Sequence, residues 1–166
     1  EPAQVDEKMS LSNVQHVVID QDKLAKDEPL LRQFFGLLVH AHYRTTPNDL
    51  RRILDAPNVR LHALMLHDQV VAATWVALEG ELPAALCADV AWGRQRLRGH
   101  ALAETLISHS GRPDAGALSM VRSVRIAVHP DLRRRGLATN LVHAIHEHYS
   151  RFAVQLDNTI LEKVKV

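Results

Sequence analysis

The chain has 166 residues, of which 46% are hydrophobic and 23% charged, and its formal net charge is +1. This length and composition predict a single globular domain with its own hydrophobic core and exclude a chain that is disordered throughout. Residues 1–90 carry 8 Lys and Arg against 13 Asp and Glu, whereas residues 91–166 carry 12 against 6. The two parts therefore have net charges of −5 and +6, and we expect an anionic partner to bind the second.

Signals for targeting, disulfides and metals are missing from the sequence. No run of about 18 apolar residues is present and the first residues lack the pattern of a secretory signal, so we expect no membrane partner and a cytoplasmic location. The single cysteine, Cys87, excludes an internal disulfide, and we expect it to pack as a small apolar residue. The eleven histidines include no H-E-x-x-H motif, and only His143 and His146 of the three on one predicted helix share a face, so we expect no metal site.

The first half of the chain predicts a strand, two helices and a hairpin. Residues 1–26 have a mixed composition and are interpreted as a leader or linker that contains one short strand, Val14–Ile19. Apolar residues then recur at helical spacing after a capping residue, and a second start signal with proline follows, which predicts helices at Leu30–Tyr43 and Pro47–Ala56. Two β-rich runs separated by three residues predict an antiparallel hairpin with strands Val59–Leu66 and Val70–Leu78.

The second half predicts further helices around one long strand. Residues 81–90 are predicted to be a short helix or irregular, and residues 92–99 a basic loop. The other predicted elements are a helix at His100–His109, a turn at Gly111–Gly116, a strand at Leu118–Val128, a helix from Gly136 to about Phe152, and strands at Ala153–Leu156 and Ile160–Val166.

The most informative segment is S-V-R-I-A-V-H-P-D-L-R-R-R-G-L-A-T-N at residues 123–140. It predicts a strand, a turn and then a helix whose first turn contains glycine and small residues. Backbone N–H groups at the start of a helix have no internal partner, and with the helix dipole and nearby arginines they suit a pyrophosphate. Gly136 lets an anion approach the main chain, and Ala138 keeps the next turn thin.

In this context Arg133-x-x-Gly136-x-Ala138 resembles the pyrophosphate-binding motif of the GNAT N-acetyltransferases, R/Q-x-x-G-x-G/A. The resemblance implies an α/β fold, with a GNAT-like mixed sheet flanked by helices, over residues 27–166, which we expect to be incomplete at its C-terminal end. It also implies acetyl-CoA as the cofactor. The residues expected to bind it here are Arg133, Arg134, Arg135, Gly136, Leu137, Ala138 and Thr139. The alternative for the three arginines is a solvated basic turn.

Three further blocks give a closer resemblance: A-H-Y-R-T-T-P-N-D-L-R-R-I-L-D-A-P at residues 41–57, A-W-G-R-Q-R-L-R-G at residues 91–99, and V-R-I-A-V-H-P at residues 124–130, preceded by Arg122. Together with the loop motif they are similar to the acetyltransferase module of bacterial tRNA(Met) cytidine acetyltransferases. The resemblance implies acetyl transfer from acetyl-CoA to the exocyclic amine of the wobble cytidine of elongator tRNA(Met), forming N4-acetylcytidine.

The same resemblance implies partners for this module. They are tRNA(Met), an ATP-hydrolysing helicase-like module that precedes it, and a C-terminal RNA-binding module. The chain contains no Walker-type G-x-x-x-x-G-K-[ST] motif, so we expect the ATP-hydrolysing module to lie outside this sequence.

In the GNAT fold, the strand before the loop opens away from its neighbour, and its backbone binds the pantetheine arm and the thioester. The resemblance therefore implies cofactor binding by Ile126, Ala127 and Val128. His129 ends this strand and is the candidate catalytic base, because imidazole titrates near neutral pH. The alternative is a histidine that caps the loop before Pro130.

The basic loop at residues 92–99 carries Arg94, Arg96 and Arg98, which are candidate phosphate contacts for substrate RNA or else a solvated surface. Seven aromatic residues are few for a base-stacking surface. Trp75 is predicted to lie in the core, whereas Trp92 fits either a packed or a base-stacking position.

Two other functions stay open: a GNAT N-acetyltransferase acting on a small amine or a protein amine, and a binding-only fragment without turnover.

Overall fold

The structure is a computed structural model that describes residues 10–41 and 44–155, with side chains as far as residue 151. In this part of the chain, four strands form one sheet and six α-helices surround it. The strands are β1 (Gln15–Ile19), β2 (Val59–Leu66), β3 (Gln69–Gly80) and β4 (Ser119–Val128). The helices are α1 (Gln21–Lys26), α2 (Glu28–Ala41), α3 (Pro47–Asp55), α4 (Ala84–Ala91), α5 (Ala101–His109) and α6 (Leu137–Gln155).

The strands lie in the order β1-β2-β3-β4, and every neighbouring pair is antiparallel. β3 is buried along almost its whole length because helices cover both faces of the sheet. Val128 at the end of β4 pairs with Ala72 near the start of β3, and Ser119 at the start of β4 pairs with Gly80 at the end of β3. The segment that follows β4 therefore leaves the sheet at the end where β3 begins. Within the described residues, β4 is an edge strand.

Helices α1, α2 and α3 cover one face of the sheet. Their buried side chains, among them Leu24, Phe34 and Ile53, pack against Trp75 of β3 and Ala127 of β4. Trp75 is 3% exposed, which confirms its predicted place in the core.

Helix α6 packs on the opposite face. Leu137 and Leu141 in its first turns are buried against Leu66 and Val71, and Leu132 from the preceding turn joins the same cluster. Because Leu137 is the first residue of α6, burial of its side chain fixes the start of the helix on the sheet.

Helices α4 and α5 connect the end of β3 to β4 and pack on each other through Cys87, Val90 and Ile107. Cys87 is 3% exposed, as expected for a cysteine that packs as an apolar residue. Residues 81–90, predicted as a short helix or irregular, contain most of α4.

A buried carboxylate holds α5 on the sheet. Glu79 near the end of β3 has a fully buried side chain, and its Oε2 accepts hydrogen bonds from the N–H groups of Leu102 at 2.6 Å and Ala103 at 3.3 Å. Its Oε1 accepts a hydrogen bond from Nε of Arg122 on β4. Glu79 therefore caps the start of α5 and pairs its own charge with Arg122.

The predicted hairpin, the central helices and the long strand are confirmed, with ends that differ by a few residues. The strand predicted at Ala153–Leu156 is wrong over residues 153–155, which continue α6, because a short apolar run fits the apolar spacing of either element. Leu156 and the strand predicted at Ile160–Val166 lie outside the described residues, as do His42 and Tyr43 of the helix predicted at Leu30–Tyr43.

The described part of the predicted leader or linker, residues 10–26, includes β1 and α1. β1 pairs with β2, and Leu24 of α1 is completely buried in the core. Among the described residues, no helix combines the length and the apolar character needed to cross a bilayer.

Candidate functional site

The connection from β4 to α6 is short and anchored at both ends. The backbone N–H of His129 donates to the carbonyl oxygen of Val71 at 2.9 Å, so the pairing of β4 with β3 continues one residue beyond the strand. A single 3-10 turn at Pro130–Leu132 follows, and the side chain of Leu132 is completely buried. Residues 133–139, which we call the diphosphate loop, then lead into α6.

Two residues of the diphosphate loop have left-handed backbone conformations. Arg134 has φ = 62° and Gly136 has φ = 81°. A Cβ atom added to Gly136 would meet no atom within 4 Å, so the space in front of this residue is open. An anion can therefore approach the main chain at Gly136 without displacing any described side chain.

The start of α6 presents a row of backbone donors. Within the described part of the chain, the N–H groups of Gly136, Leu137, Ala138 and Thr139 have no hydrogen-bond partner, and the first N–H with a partner is that of Asn140, which donates to the Gly136 carbonyl at 2.9 Å. The first turn of α6 contains no acidic residue. Four backbone donors at the positive end of a 19-residue helix are suited to an anion.

Three arginines directly precede these donors in the chain. Arg133, Arg134 and Arg135 are all exposed. Exposed guanidinium groups beside a helix start strengthen its positive potential without blocking it. The structure therefore brings together all seven predicted loop residues at one place, and their role in binding stays a prediction.

The end of β4 lies directly before this loop. Ala127 is 3% exposed and packs on the face covered by α1–α3, whereas Ile126 and Val128 pack towards α6. In the described chain, the outer edge of β4 faces no other strand. β4 leads directly to the diphosphate loop through the 3-10 turn. Binding of the pantetheine arm by this strand stays a prediction.

His129 is more deeply buried than a surface base would be. Its side chain is 3% exposed, and Nδ1 lies 3.7 Å from Oδ2 of Asp131. The imidazole is therefore buried where β4 meets the 3-10 turn. Both interpretations of this residue, catalytic base and support for the loop, agree with this position.

Arg125 links β4 to the connection between α2 and α3. Its guanidinium donates to the Arg44 carbonyl at 2.8 Å, to Thr45 Oγ1 at 3.1 Å and to Asp49 Oδ2 at 3.1 Å. Asp49 also accepts a hydrogen bond from the N–H of Thr46 at 2.8 Å, which completes a capping box at the start of α3. Sequence reasoning missed this role because the partners are more than 75 residues apart.

The predicted RNA contacts lie between α4 and α5, away from the diphosphate loop. Arg94 pairs with Asp89 at 3.4 Å and Arg96 with Glu104 at 3.6 Å. No described residue forms an ion pair with Arg98. Trp92, at the end of α4, is 76% exposed.

A histidine cluster on the α6 face was not predicted from the sequence. His62 of β2 is completely buried, with Nδ1 3.0 Å from Nε2 of His16 and Nε2 3.1 Å from the hydroxyl of Tyr149. His148 packs edge-on against both imidazoles. Burial lowers the pKa of His62 from 6.5 to about 3, and the neighbouring His16 and His148 act in the same direction.

Two other groups of this cluster also have shifted pKa values. The pKa of His16 is lowered, first by burial and then by His148. Burial raises the pKa of the Tyr149 hydroxyl, against the opposing effect of the Arg60 charge. We expect the side chains of His16, His62 and Tyr149 to be neutral at pH 7.

The described residues contain no group of three or more His, Cys, Asp or Glu arranged to hold a metal ion.

Comparison with solved structures identifies the class of fold. An aminoglycoside acetyltransferase from an uncultured soil metagenomic sample, solved with trehalose, aligns with a TM-score of 0.52 over 87% of this chain and 75% of that chain, at 12% identity. Likeness at this identity shows the fold alone. The chain has the GNAT fold, an open antiparallel sheet flanked by helices, and the predicted fold class is confirmed.

Comparison of sequences identifies the family. The profile of the family described as GNAT acetyltransferase 2 matches residues 33–165, and the chain belongs to this family. Proteins named tRNA(Met) cytidine acetyltransferase TmcA from Yersinia pestis and Nitrosococcus halophilus are 45% and 42% identical to it over 124 and 127 residues. The predicted resemblance is confirmed. These matches cover 74% and 76% of this chain but 18% and 17% of those proteins, so the chain corresponds to one module of them.

Proposed function

We propose that this chain is an acetyltransferase module that transfers an acetyl group from acetyl-CoA to the exocyclic amine of the wobble cytidine of elongator tRNA(Met), forming N4-acetylcytidine. Binding of acetyl-CoA is supported by one observation above all. Among the described residues, the N–H groups of Gly136, Leu137, Ala138 and Thr139 have no hydrogen-bond partner. The similarity to proteins named tRNA(Met) cytidine acetyltransferase supports the acceptor. GNAT proteins in general use acetyl-CoA.

The residues present fit the coenzyme. The open space at Gly136 and the four donors suit a diphosphate, and the exposed arginines of the diphosphate loop add positive charge around it. The edge of β4 at Ile126–Val128 would hold the pantetheine arm through its backbone. When bound there, acetyl-CoA supplies an acetyl group activated as a thioester.

The chemistry places modest demands on the side chains of this chain. A cytosine amine is conjugated and weakly basic, so it needs no deprotonation before it attacks, and what it needs is a fixed position close to the acetyl carbon. The amine loses a proton as the new C–N bond forms and the C–S bond breaks. We assign acceptance of that proton to His129, which lies where β4 meets the diphosphate loop.

The length of the relatives supports the proposal that further protein modules act with this one. Proteins named for this activity are more than five times longer than the matched segment. We propose that an ATP-hydrolysing helicase-like module and a C-terminal RNA-binding module act with this one in the longer protein. Their contribution would be to deliver the anticodon loop, since this chain carries the acetyl-transfer site.

A labelled-acetyl assay tests the proposal. The 166-residue chain is incubated with radiolabelled acetyl-CoA and, in parallel, with an elongator tRNA(Met) transcript, the same transcript with the wobble cytidine replaced by uridine, and a panel of small amines and peptides. Uridine has a carbonyl oxygen where cytidine has the amine, so it is the matched control. We expect label in the cytidine transcript and none in the uridine transcript.

Two results would contradict the proposal. Label in the small amines or peptides, but not in the RNA, would indicate a GNAT N-acetyltransferase with another acceptor. Calorimetry that detects acetyl-CoA binding while every acceptor stays unlabelled would indicate a binding-only fragment.

A further inference from the structure

The acetyl-transfer site and the basic loop lie at opposite ends of the same pair of strands. The diphosphate loop follows Val128, which pairs with Ala72, whereas the chain enters β4 at Ser119, which pairs with Gly80. Gly80 is eight positions after Ala72 along β3, which corresponds to about 26 Å of extended strand. In the proposed function the coenzyme occupies one end of β4, which leaves the other end for the acceptor.

The segment 92–99 is held near the end of the strand pair where β3 ends and β4 begins. Asn58 Nδ2 donates to the carbonyl oxygens of both Leu78 on β3 and Gly99, each at 3.3 Å. Leu97 packs with the apolar cluster of α4 and α5, and its N–H donates to Glu104 Oε2 at 3.2 Å. These contacts hold the segment in one place before any ligand arrives, which lowers the entropy cost of binding.

Trp92 is unusual among the large apolar side chains of this protein. It is 76% exposed, although a tryptophan is among the residues that gain most from burial. The backbone N–H of Trp92 donates to the Ala88 carbonyl at 3.0 Å, so the backbone of Trp92 is part of the end of α4. The ring is therefore presented to solvent from a rigid support.

Positively charged residues follow Trp92 closely in the chain. Segment 92–99 contains three arginines and no acidic residue. Arg94 and Arg96 have carboxylate partners at 3.4 and 3.6 Å, but the two arginine side chains are 64% and 92% exposed, so they are accessible to another anion. Arg98 forms no ion pair with a described residue. An exposed aromatic ring on the same short segment as three arginines suits a polyanion whose bases stack, which is a single-stranded nucleic acid.

The geometry points to a stacking site for an unpaired base of the acceptor RNA, formed by Trp92 with Arg94, Arg96 and Arg98 at the end of the sheet opposite the diphosphate loop. We call these four residues the Trp92 surface. The inference rests on the proposed function, because it names how that acceptor is held. It adds that a side chain of this module, and not the other modules alone, contacts a base.

The two tryptophans permit a direct test. Trp75 is 3% exposed and Trp92 is 76% exposed, so quenching of the exposed fluorophore reports on Trp92. The 166-residue chain is titrated with the anticodon stem-loop of elongator tRNA(Met) and with a fully paired duplex of equal charge. We expect the stem-loop to quench emission strongly and the duplex to quench it little, because paired bases are not available for stacking.

Variants separate stacking from charge, with affinity measured by anisotropy of labelled stem-loop. Trp92→Ala should weaken binding about 10-fold or more without changing its salt dependence, and Trp92→Phe should restore most of the affinity. Arg98→Gln should lower the slope of log affinity against log salt by about one unit. Val142→Ala, at a 53% exposed apolar residue on α6, is the control and should bind as the unaltered chain does.

Equal affinity of Trp92→Ala and the unaltered chain would overturn the inference, as would equal binding of duplex and stem-loop. Failure of the unaltered chain to bind any RNA would also overturn it and would leave a protein as the partner for Trp92. Calorimetry with acetyl-CoA on the same variants distinguishes this failure from that of the proposed function. Acetyl-CoA binding should be unchanged in Trp92→Ala.

Discussion

At Gly136 a missing Cβ leaves open space in front of four backbone donors. We predict that Gly136→Val abolishes acetyl-CoA binding, because the branched side chain would fill the place of the anion. Valine at φ = 81° also strains the backbone, so a control is needed. Gly111→Val has that strain at φ = 61°, has equally open surroundings and lies outside the loop.

Calorimetry with acetyl-CoA on the two glycine variants checks this prediction. Gly111→Val should retain the affinity of the unaltered chain, and urea unfolding should show a similar loss of stability in both variants. Unchanged coenzyme affinity in Gly136→Val would mean that the anion binds elsewhere.

His129 has two candidate roles, and a conservative substitution distinguishes them. We predict that His129→Gln keeps acetyl-CoA affinity within about threefold but lowers the transfer rate about 100-fold, because glutamine fills similar space without accepting a proton. The pH dependence of transfer should become flatter. His67→Gln, in the turn between β2 and β3, is the control. Normal turnover by His129→Gln would assign His129 to support of the loop.

His62 makes stability depend on pH. Its pKa is about 3 in the folded protein and 6.5 when exposed, so between these values the unfolded chain binds more protons. We predict that the free energy of unfolding is highest above pH 6.5 and falls as the pH decreases towards 3, by up to about 1.4 kcal/mol per pH unit for this one group. Urea titrations at several pH values measure the slope.

The matched variants for this prediction are His62→Asn and His67→Asn. The first removes the buried titrating group and should make the slope shallower, whereas the second removes an exposed histidine and should leave it unchanged. Equal slopes in His62→Asn and the unaltered protein would show that folding does not lower the pKa of His62.

At the scale of the element, the buried pair of Glu79 and Arg122 holds α5 on the sheet. We predict that Arg122→Met lowers the free energy of unfolding by about 3 kcal/mol, because it leaves a buried carboxylate without its partner. Combining it with Glu79→Gln should recover part of this loss. Arg32→Met removes an exposed ion pair of α2 and should cost less than about 1 kcal/mol. Urea unfolding in which the single and double variants are equally stable would contradict this account.

Local signals in the sequence account for the elements that were predicted. These signals are the proline and cap residues at the start of α3, the turn between β2 and β3, and the strand, turn and helix around Gly136. Each of them lies within one continuous stretch of fewer than twenty residues. The strand predicted from Ala153 is wrong because four apolar-rich residues have no period of their own. Pairs such as Glu79 with Arg122, and His16 with His62, were missed because only the folded sheet brings them together.

At the scale of the whole molecule, the two proposed substrate sites lie at opposite ends of the pair of strands β3 and β4. The donor site lies beyond the C-terminal end of β4, and the Trp92 surface lies beside its N-terminal end, across the strand pair. Two ligands that approach from opposite ends bind without displacing each other. Saturating acetyl-CoA should therefore leave the affinity for the anticodon stem-loop within about twofold, which anisotropy measures directly. A tenfold loss of RNA affinity would indicate overlapping sites.

The central claim is that the amides at the start of α6 bind the diphosphate of acetyl-CoA. A titration of the nitrogen-15-labelled chain with coenzyme A, followed by amide resonances, tests it most directly. We predict that Gly136, Leu137, Ala138 and Thr139 show the largest shifts, because their N–H groups have no partner in the described chain and would gain one. Unmoved resonances at these four residues, with large shifts elsewhere, would contradict the claim.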